Sequence, residues 1–461
     1  MPKTVGPLTI MLVLSVVTCL ILFQPTTVRA QPKTIIVPDN YPTIQEAINK
    51  ADTSDTIYVK KGYYEGSFNQ TLLINKAVYI CGEAPSSTIL SLNPPLVPMQ
   101  IFTLEYMGYL SSIQINADNV KISGLSIVTP GGVISAKGNS IQIMDTNTST
   151  GFSIEGSHTT ISRNLIKGDL NIDGNNNAVI DNYFEKGLVP STIDCKGSNN
   201  IIANNTLRTK NDTDNIKLNI EGAENLIANN LLRTVHLFGS TNIVYKNSIK
   251  AVPGDSGIYL SYSSANTICA NRITYAESIT YQQEGIFLSE SYDNVVYANQ
   301  IEGVFKGVYL QNTDTQPMIT NNNTFYHNNF INNQIQAWDY TSSTTNMFDN
   351  GKEGNYWSDY HGLDANNDGI GDTPFKPTSV YVYDDVRKVT ECSPDNYPLM
   401  APFDVESVNV EFPEWAITAL SQFPTPSPSV PEFSWLTTLP LLLAIPIVLL
   451  VIRKTVFRNR K

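Results

Sequence analysis

An all-β solenoid of stacked coils, a parallel β-helix, is the fold this sequence predicts, and three observations predict it. A unit N-x-[IVF]-x-x-N-x-[ILF] recurs through residues 110–350. A shorter Gly-led strand pattern precedes that unit in most coils. Residues 34–60 read as a strand, a short amphipathic helix and a second strand, the kind of cap that an open coil end requires.

The repeat carries most of the argument. It stands as Asn177/Val179/Asn182/Phe184, Asn200/Ile202/Asn205/Leu207, Asn225/Ile227/Asn230/Leu232 and Asn242/Val244/Asn247/Ile249. It continues as Asn266/Ile268/Asn271/Ile273, Asn294/Val296/Asn299/Ile301 and Asn323/Phe325/Asn328/Phe330, with Thr159/Ile161/Asn164/Ile166 as a Thr-led variant. The second asparagine recurs every ~23 residues, within the range of solenoid repeats. Two apolar positions five apart cannot share one face of a straight strand, because side chains alternate with period 2, so a bend lies between them. Asparagine suits that bend: it tolerates left-handed backbone, and its carboxamide can bond the neighbouring backbone and the same residue one coil away. Stacked coils therefore give an internal asparagine ladder, which an antiparallel β-sandwich, the competing fold, does not demand.

The Gly-led strands are Gly257-Ile258-Tyr259-Leu260, Gly285-Ile286-Phe287-Leu288 and Gly307-Val308-Tyr309-Leu310, with weaker versions at Leu170/Ile172, Leu218/Ile220 and Val235/Leu237. Apolar residues alternate with outward ones, as a strand with one buried face requires. Each coil is then several short strands paired in parallel with the next coil at about 4.8 Å. In the cap, Thr34 to Val37 and Thr56 to Val59 read as strands, and Pro42 to Lys50 as a helix with Ile44, Ala47 and Ile48 on one side.

The ends concern export. One Lys, an apolar run from Leu8 to Phe23, and small residues at Val28 and Ala30 read as a signal peptide over 1–30, cleaved before Gln31; the alternative is a retained N-terminal anchor, since the run approaches membrane-spanning length. At the other end, 433–452 is an apolar stretch followed by Arg453, Lys454, Arg458, Arg460 and Lys461 in a basic tail over 453–461, which reads as a transmembrane helix with a cytoplasmic stop. Pro424, Pro426 and Pro428 alternate with Thr425, Ser427 and Ser429 in a linker and stalk over 403–432. Between these lie the cap and first coils (31–109), the repeats (110–350) and a closing segment (351–402).

The segment IIVPDNYPTIQEAINKADTSDTIYVKKGYYEG resembles the N-terminal cap of pectin-lyase-like β-helix proteins, and the asparagine repeat is similar to their coils. GNYWSDYHGLDANNDGIGDTPF followed by DNYPLM resembles the segment that closes NosD-type β-helix proteins of archaeal cell surfaces. Val430-Pro431-Glu432-Phe433 resembles the PEF sorting signal processed by archaeosortases. The resemblance implies an archaeal, membrane-anchored surface protein and a right-handed parallel β-helix. Some related proteins are polysaccharide lyases or hydrolases, and NosD itself is linked to copper-site maturation. For copper the residues offer little: His158, His236, His327 and His361 are widely separated, with no Met/His/Cys cluster of soft ligands.

Composition narrows the partners. At 461 residues, 41% hydrophobic and 16% charged, the chain can bury a large core. With 42 acidic against 30 basic side chains and a net charge of -12, it repels nucleic-acid backbones, so nucleic acid is excluded as a partner. Cys81, Cys195, Cys269 and Cys392 have no metal-ligand spacing and read as buried thiols, with a disulfide permitted. Sequons stand at Asn69, Asn147, Asn204, Asn211 and Asn322; some are expected to be occluded, Asn204 because it adjoins the ladder.

Three groups of residues carry candidate chemistry. Asp364, Asn366, Asp368, the Ile370 carbonyl and Asp372, with Gly369 at the turn, match the oxygen-ligand spacing of a calcium loop, but Phe375 stands where a bidentate acid belongs, and Asp359 or Asp395 would have to complete the shell. The alternative is a solvated Asn/Asp/Gly turn. Tyr259, Phe287 and Tyr309 stand at equivalent outward positions and form an aromatic stripe suited to a polysaccharide or cell-surface glycan, or else to stabilising the sheet alone. Two positions further on, Asp173, Asp194, Glu221, Phe238, Ser261, Ser289, Gln311 and Trp338 align in one column, and its three leading acids are candidates for catalysis by a paired-carboxylate hydrolase or a calcium-assisted lyase, with a solvated acidic edge as the alternative. Two functions compete: a non-catalytic surface module that binds glycan or a partner along the coil, and a polysaccharide-cleaving enzyme on the same scaffold.

Overall fold

The computed structural model describes residues 31–66, 71–92, 111–129, 132–185, 192–208, 217–252, 254–275, 283–312, 319–341, 345–377, 380–383, 386–389, 393–408, 410–412, 414 and 416–417. The chain divides into residues 1–412 and 413–461, and nearly all of the second unit lies outside those ranges. So do the expected signal peptide, the proline-rich stalk and the apolar stretch at 433–452; among the described residues no helix is long and apolar enough to cross a membrane.

The described residues between 34 and 357 wind into three long sheets, whose strands are counted among those residues. The first has 13 strands, from Thr34–Val37 to Thr324–Tyr326; the second has 12, from Leu72–Ile74 to Ile335–Tyr340; the third has 13, from Gly62–Glu65 to Tyr356–Trp357. Each strand pairs in parallel with its equivalents one coil before and after, as Ile202 does with Ile227 and His236 with Tyr259. One coil shows the rest. Thr192–Lys196 lies in the second sheet, Ile201–Ala203 in the first and Thr206–Arg208 in the third, before Lys217–Glu221 opens the next coil.

The alternation of the sequence explains the core. Ile193 and Cys195 point inward from the second sheet, Ile202 from the first and Leu207 from the third, and all are buried. Ile227, Val244, Ile268 and Val296 stack on Ile202 in successive coils with no measurable exposure. Each such side chain contributes about 1.5–3 kcal/mol of burial.

Two asparagine ladders, not one, flank the first sheet. The expected one runs from Asn164 to Asn355, with Asn205 N–H donating to Asn230 Oδ1 at 2.8 Å and Asn247 N–H to Asn271 Oδ1 at 3.0 Å. The other is built from the first asparagine of the unit and runs from Asn177 to Asn346, with Asn200 N–H donating to Asn225 Oδ1 at 2.9 Å. The bend itself corrects the sequence reading. The left-handed residue is the one before the ladder asparagine, with φ of 57° at Asn204, 56° at Asn229, 52° at Lys246, 55° at Ala270 and 54° at Ala298. The ladder residue is selected for its carboxamide, not for tolerance of positive φ. Asn204 is accordingly exposed beside its buried neighbour Asn205, so its sequon is not occluded. At the opposite corner Gly197 has φ +117°, and a Cβ there would stand 2.2 Å from the Gly174 carbonyl, so the coil spacing admits no side chain.

Both ends are covered. The helix Ile44–Lys50 is capped by Thr43, whose hydroxyl accepts from Glu46 N–H at 3.2 Å, and it buries Ile44, Ala47 and Ile48 over the first coil as expected. At the far end Trp357 is stacked between Phe330 and Phe375, with ring centroids 4.5 and 4.2 Å away, and its indole N–H donates to Asp395 at 2.8 Å. Val380–Tyr383 and Val386–Val389 form an antiparallel pair within the closing segment.

Residues 403–408 and 410–412, at the start of the segment expected as linker and stalk, run back along the coils: Phe403 stacks on His327 at 4.2 Å, Glu406 pairs with Arg272 at 2.9 Å, and Tyr245 donates to the Val408 carbonyl at 3.1 Å and packs on Phe412. Cys81, Cys195 and Cys269 are free thiols; Cys392 lies outside the described residues.

Candidate functional site on the second sheet

The outward side chains of the second sheet form columns along the helix axis, because parallel register places equivalent residues one coil apart. The central column runs Asn171, Asp194, Asn219, His236, Tyr259, Phe287, Tyr309 and Trp338. It is polar in its first half and aromatic in its second. Asn219 Nδ2 donates to Asp194 Oδ1 at 2.6 Å, and the Thr192 hydroxyl to Asp194 Oδ2 at 3.2 Å.

The expected stripe of Tyr259, Phe287 and Tyr309 is in place, and Trp338 and His236 extend it at either end. Tyr259 stacks on Phe287 at 4.8 Å with 23° between planes, and Phe287 on Tyr309 at 4.9 Å with 25°. Trp338 meets Tyr309 edge-on at 5.9 Å, and His236 meets Tyr259 edge-on at 5.4 Å. This stacking revises one expectation: the ring faces cover one another along the axis, so the stripe offers solvent its edges and hydroxyls and not a row of open faces. The face-to-face contacts also stabilise the sheet. Burial, with Tyr340 and Glu284 nearby, pushes the Tyr309 hydroxyl up to about 12, which keeps it a proton donor at neutral pH.

Two ion pairs border the column. Lys306 Nζ lies 3.1 Å from Glu284 Oε1 and 3.7 Å above the centre of the Tyr309 ring, a cation–π contact. Both side chains of the pair are nearly buried, at 11% and 12% exposure. Lys217 Nζ lies 2.9 Å from Asp255 Oδ1, and His236 Nε2 is 3.8 Å from the same oxygen. Burial, then the Lys217 charge, lowers the His236 pKa against the pull of Asp255, so the imidazole is neutral at pH 7.

The three candidate catalytic acids do not share a column. Asp173 and Glu221 stand on either side of Lys196, whose Nζ is 3.1 Å from Glu221 Oε2, while Asp194 belongs to the central column. Trp338 likewise pairs with Tyr309, and Tyr340 takes the place expected for Trp338 beside Gln311. The physical cause is Cys195. It fills the inward position that Ile172 and Ile220 fill in the adjacent coils, so Ile193 is the first inward residue and not the second. In the last coil, Ala337 and Asp339 replace the inward pair Val308 and Leu310 and hide the same alternation. His236 was legible between Val235 and Leu237, whose alternation matches Ile258 and Leu260.

In the candidate calcium loop the oxygens turn onto local N–H groups. Asp364 accepts from Asp368 N–H at 3.2 Å and Gly369 N–H at 2.9 Å, Asp368 from Ile370 N–H at 2.9 Å, and Asp372 from Ala365 N–H at 2.8 Å. The donor set is all oxygen, as a hard cation needs, and Asn366, Asp368 and Asp372 are exposed, but among the described residues no three acidic, histidine or cysteine side chains converge as metal ligands. Asp395 does not complete the shell: it is buried and accepts from Asn355 N–H, the Trp357 indole and Tyr397 N–H. A cleft of about 430 Å³ lies apart from all of this at the N-terminal cap, lined by Gln45, Tyr64, Leu72 and Leu92 among others.

A family model described as "Periplasmic copper-binding protein (NosD)" matches residues 187–362, which takes in the column from Asp194 to Trp338 and stops short of the oxygen-rich loop. A "Probable ABC transporter binding protein NosD" of Stutzerimonas stutzeri is 31% identical over 145 residues, covering 28% of this chain and 32% of that protein. Its namesake in Pseudomonas aeruginosa is 27% identical over 144 residues, with the same coverage. The chain thus spans about a third of the length of the curated relatives it matches. Among solved structures, the catalytic domain of a GH87 alpha-1,3-glucanase, as a single-substitution variant in complex with nigerose, matches with a TM-score of 0.52 at 15% identity, over 71% of this chain and 70% of that one. That likeness is one of fold, a right-handed parallel β-helix. Residues 187–362 are therefore a NosD-like segment of such a helix.

Proposed function

We propose that the chain is an exported surface protein that binds a glycan along the second sheet, over the column from Asp194 to Trp338. The observation that carries this reading is the in-register run of partly buried aromatic residues, Tyr259, Phe287, Tyr309 and Trp338, continuing a run of amide and carboxylate side chains. Sugars present C–H faces and hydroxyls in alternation, and such a strip offers apolar edges beside fixed donors and acceptors. Affinity electrophoresis of the purified chain through gels containing polysaccharides tests it. Retardation by at least one polysaccharide, lost in Tyr309→Ala, is the expected result; migration unaffected by every polysaccharide would remove the reading.

Cleavage is the weaker reading. A hydrolase needs two carboxylates across the scissile bond, while Asp173 and Glu221 flank Lys196 and Asp194 holds Asn219. A role in copper handling is favoured by the description of the family model alone. Copper prefers soft ligands, and His236, the one histidine in the column, faces Asp255 and a tyrosine ring. Calcium at Asp364, Asn366, Asp368, the Ile370 carbonyl and Asp372 is proposed on the donor set, with a structural role in the closing segment. Anchoring through 433–452, sorting through Val430 to Phe433 and an archaeal surface location complete the proposal, on the sequence patterns that suggest them.

A further inference from the structure

We infer that the glycan taken by this face is a neutral one, and that acidic, uronate-containing polysaccharides are rejected; the inference rests on the proposed glycan-binding role. A polyanionic chain needs cations free to meet its carboxylates. Four lysines reach the outer surface or rim of the second sheet among the described residues, and each is held by an acid: Lys137 by Glu155 at 3.0 Å, Lys196 by Glu221 at 3.1 Å, Lys217 by Asp255 at 2.9 Å and Lys306 by Glu284 at 3.1 Å. Asp173 and Asp194 add two further negative charges, and His236 adds no positive one at neutral pH.

The pair nearest the aromatic rings is also the hardest to reassign. Lys306 and Glu284 are nearly buried, and the ammonium is seated on Tyr309. Drawing it to a ligand carboxylate would leave Glu284 as an unpaired, desolvated charge, which is strongly unfavourable. The groups left for ligands are neutral or negative: the Asn171 and Asn219 amides, the tyrosine hydroxyls and the ring edges, with the Asp173 and Asp194 carboxylates beside them. They match hydroxyls and C–H groups.

Isothermal titration of the purified chain with malto-, cello- and laminari-oligosaccharides, and with oligogalacturonate of matched length, at low and at physiological salt, tests this. The expected result is binding of at least one neutral series with an affinity that salt leaves within about twofold, and oligogalacturonate at least tenfold weaker even at low salt. Oligogalacturonate binding as tightly as the best neutral series would overturn the inference and leave the glycan-binding reading standing. Binding of neither class would overturn both.

Discussion

Asn230 and Asn247, on successive coils, meet at a single oxygen: Asn247 Oδ1 accepts from the backbone N–H of Asn230 and from its carboxamide, both at 3.0 Å. The Asn230 carboxamide also donates to the Ile202 carbonyl of the coil before at 2.8 Å. Each ladder residue thereby ties three coils, and both it and its neighbours are buried. Asn247→Ala would leave the Asn230 N–H without its acceptor and would remove the carboxamide's bonds to the Ile227 and Tyr245 carbonyls. The expected loss is on the order of 3 kcal/mol. Lys246→Gly, at the left-handed position beside it, is expected to stay within about 1 kcal/mol of wild type. Urea unfolding midpoints of the two variants check the contrast; equal losses would mean that the bend geometry, and not the carboxamide, is what the position requires.

The repeat made the sheets, the inward residues and one ladder legible before any coordinates, because the carboxamide requirement admits almost no other side chain at Asn205, Asn230 or Asn271. The left-handed positions were not legible, since Lys246, Ala270 and Ala298 all adopt that conformation at modest cost. The candidate site was half legible. Tyr259, Phe287 and Tyr309 align through strong Ile/Leu alternation, whereas Asp194 and Trp338 were misplaced because Cys195, Ala337 and Asp339 occupy inward positions that the pattern reserves for large apolar residues. The strap from Phe403 to Phe412 has no repeat of its own and touches the coils through scattered single contacts, so nothing in its sequence announces it.

Burial of Asp395 lifts its carboxyl to about 6, against hydrogen bonds from Asn355, Trp357 and Tyr397 that pull it down. The folded protein therefore holds this proton more tightly than the unfolded chain, whose carboxyl titrates near 4. The stabilisation from protonation is fully present below about pH 4 and is lost as pH rises through about 6. Asp395→Asn should flatten the pH dependence of stability in that window. It should also cost about 1–3 kcal/mol at pH 7, where the group is ionised, since one amide oxygen cannot replace two carboxylate oxygens that accept three donors. Denaturant titrations at pH 4, 5, 6 and 7 measure both effects.

Calcium at the loop from Asp364 to Asp372 would stabilise the closing segment by preferential binding to the folded state, by about 2.7 kcal/mol at a hundredfold excess over Kd. Thermal unfolding of metal-stripped protein should shift upward on adding calcium and should not shift in Asp364→Ala. An unchanged midpoint in the wild type would mark the loop as a turn held by its own N–H contacts.

The central claim is that the aromatic column of the second sheet binds glycan, and a stacked pair on the first sheet supplies its control. Tyr297 and Tyr326 stack at 5.2 Å with 4° between planes, on a different side of the same coils. The most direct measurement is the affinity of wild type, Tyr309→Ala and Tyr326→Ala for the polysaccharide that retards the wild type most, with thermal midpoints recorded alongside. The account predicts at least a tenfold loss for Tyr309→Ala, no more than twofold for Tyr326→Ala, and comparable drops in midpoint for the two. Equal affinity losses in both variants, or none in Tyr309→Ala, would contradict it and leave the column as a ladder that only stabilises the sheet.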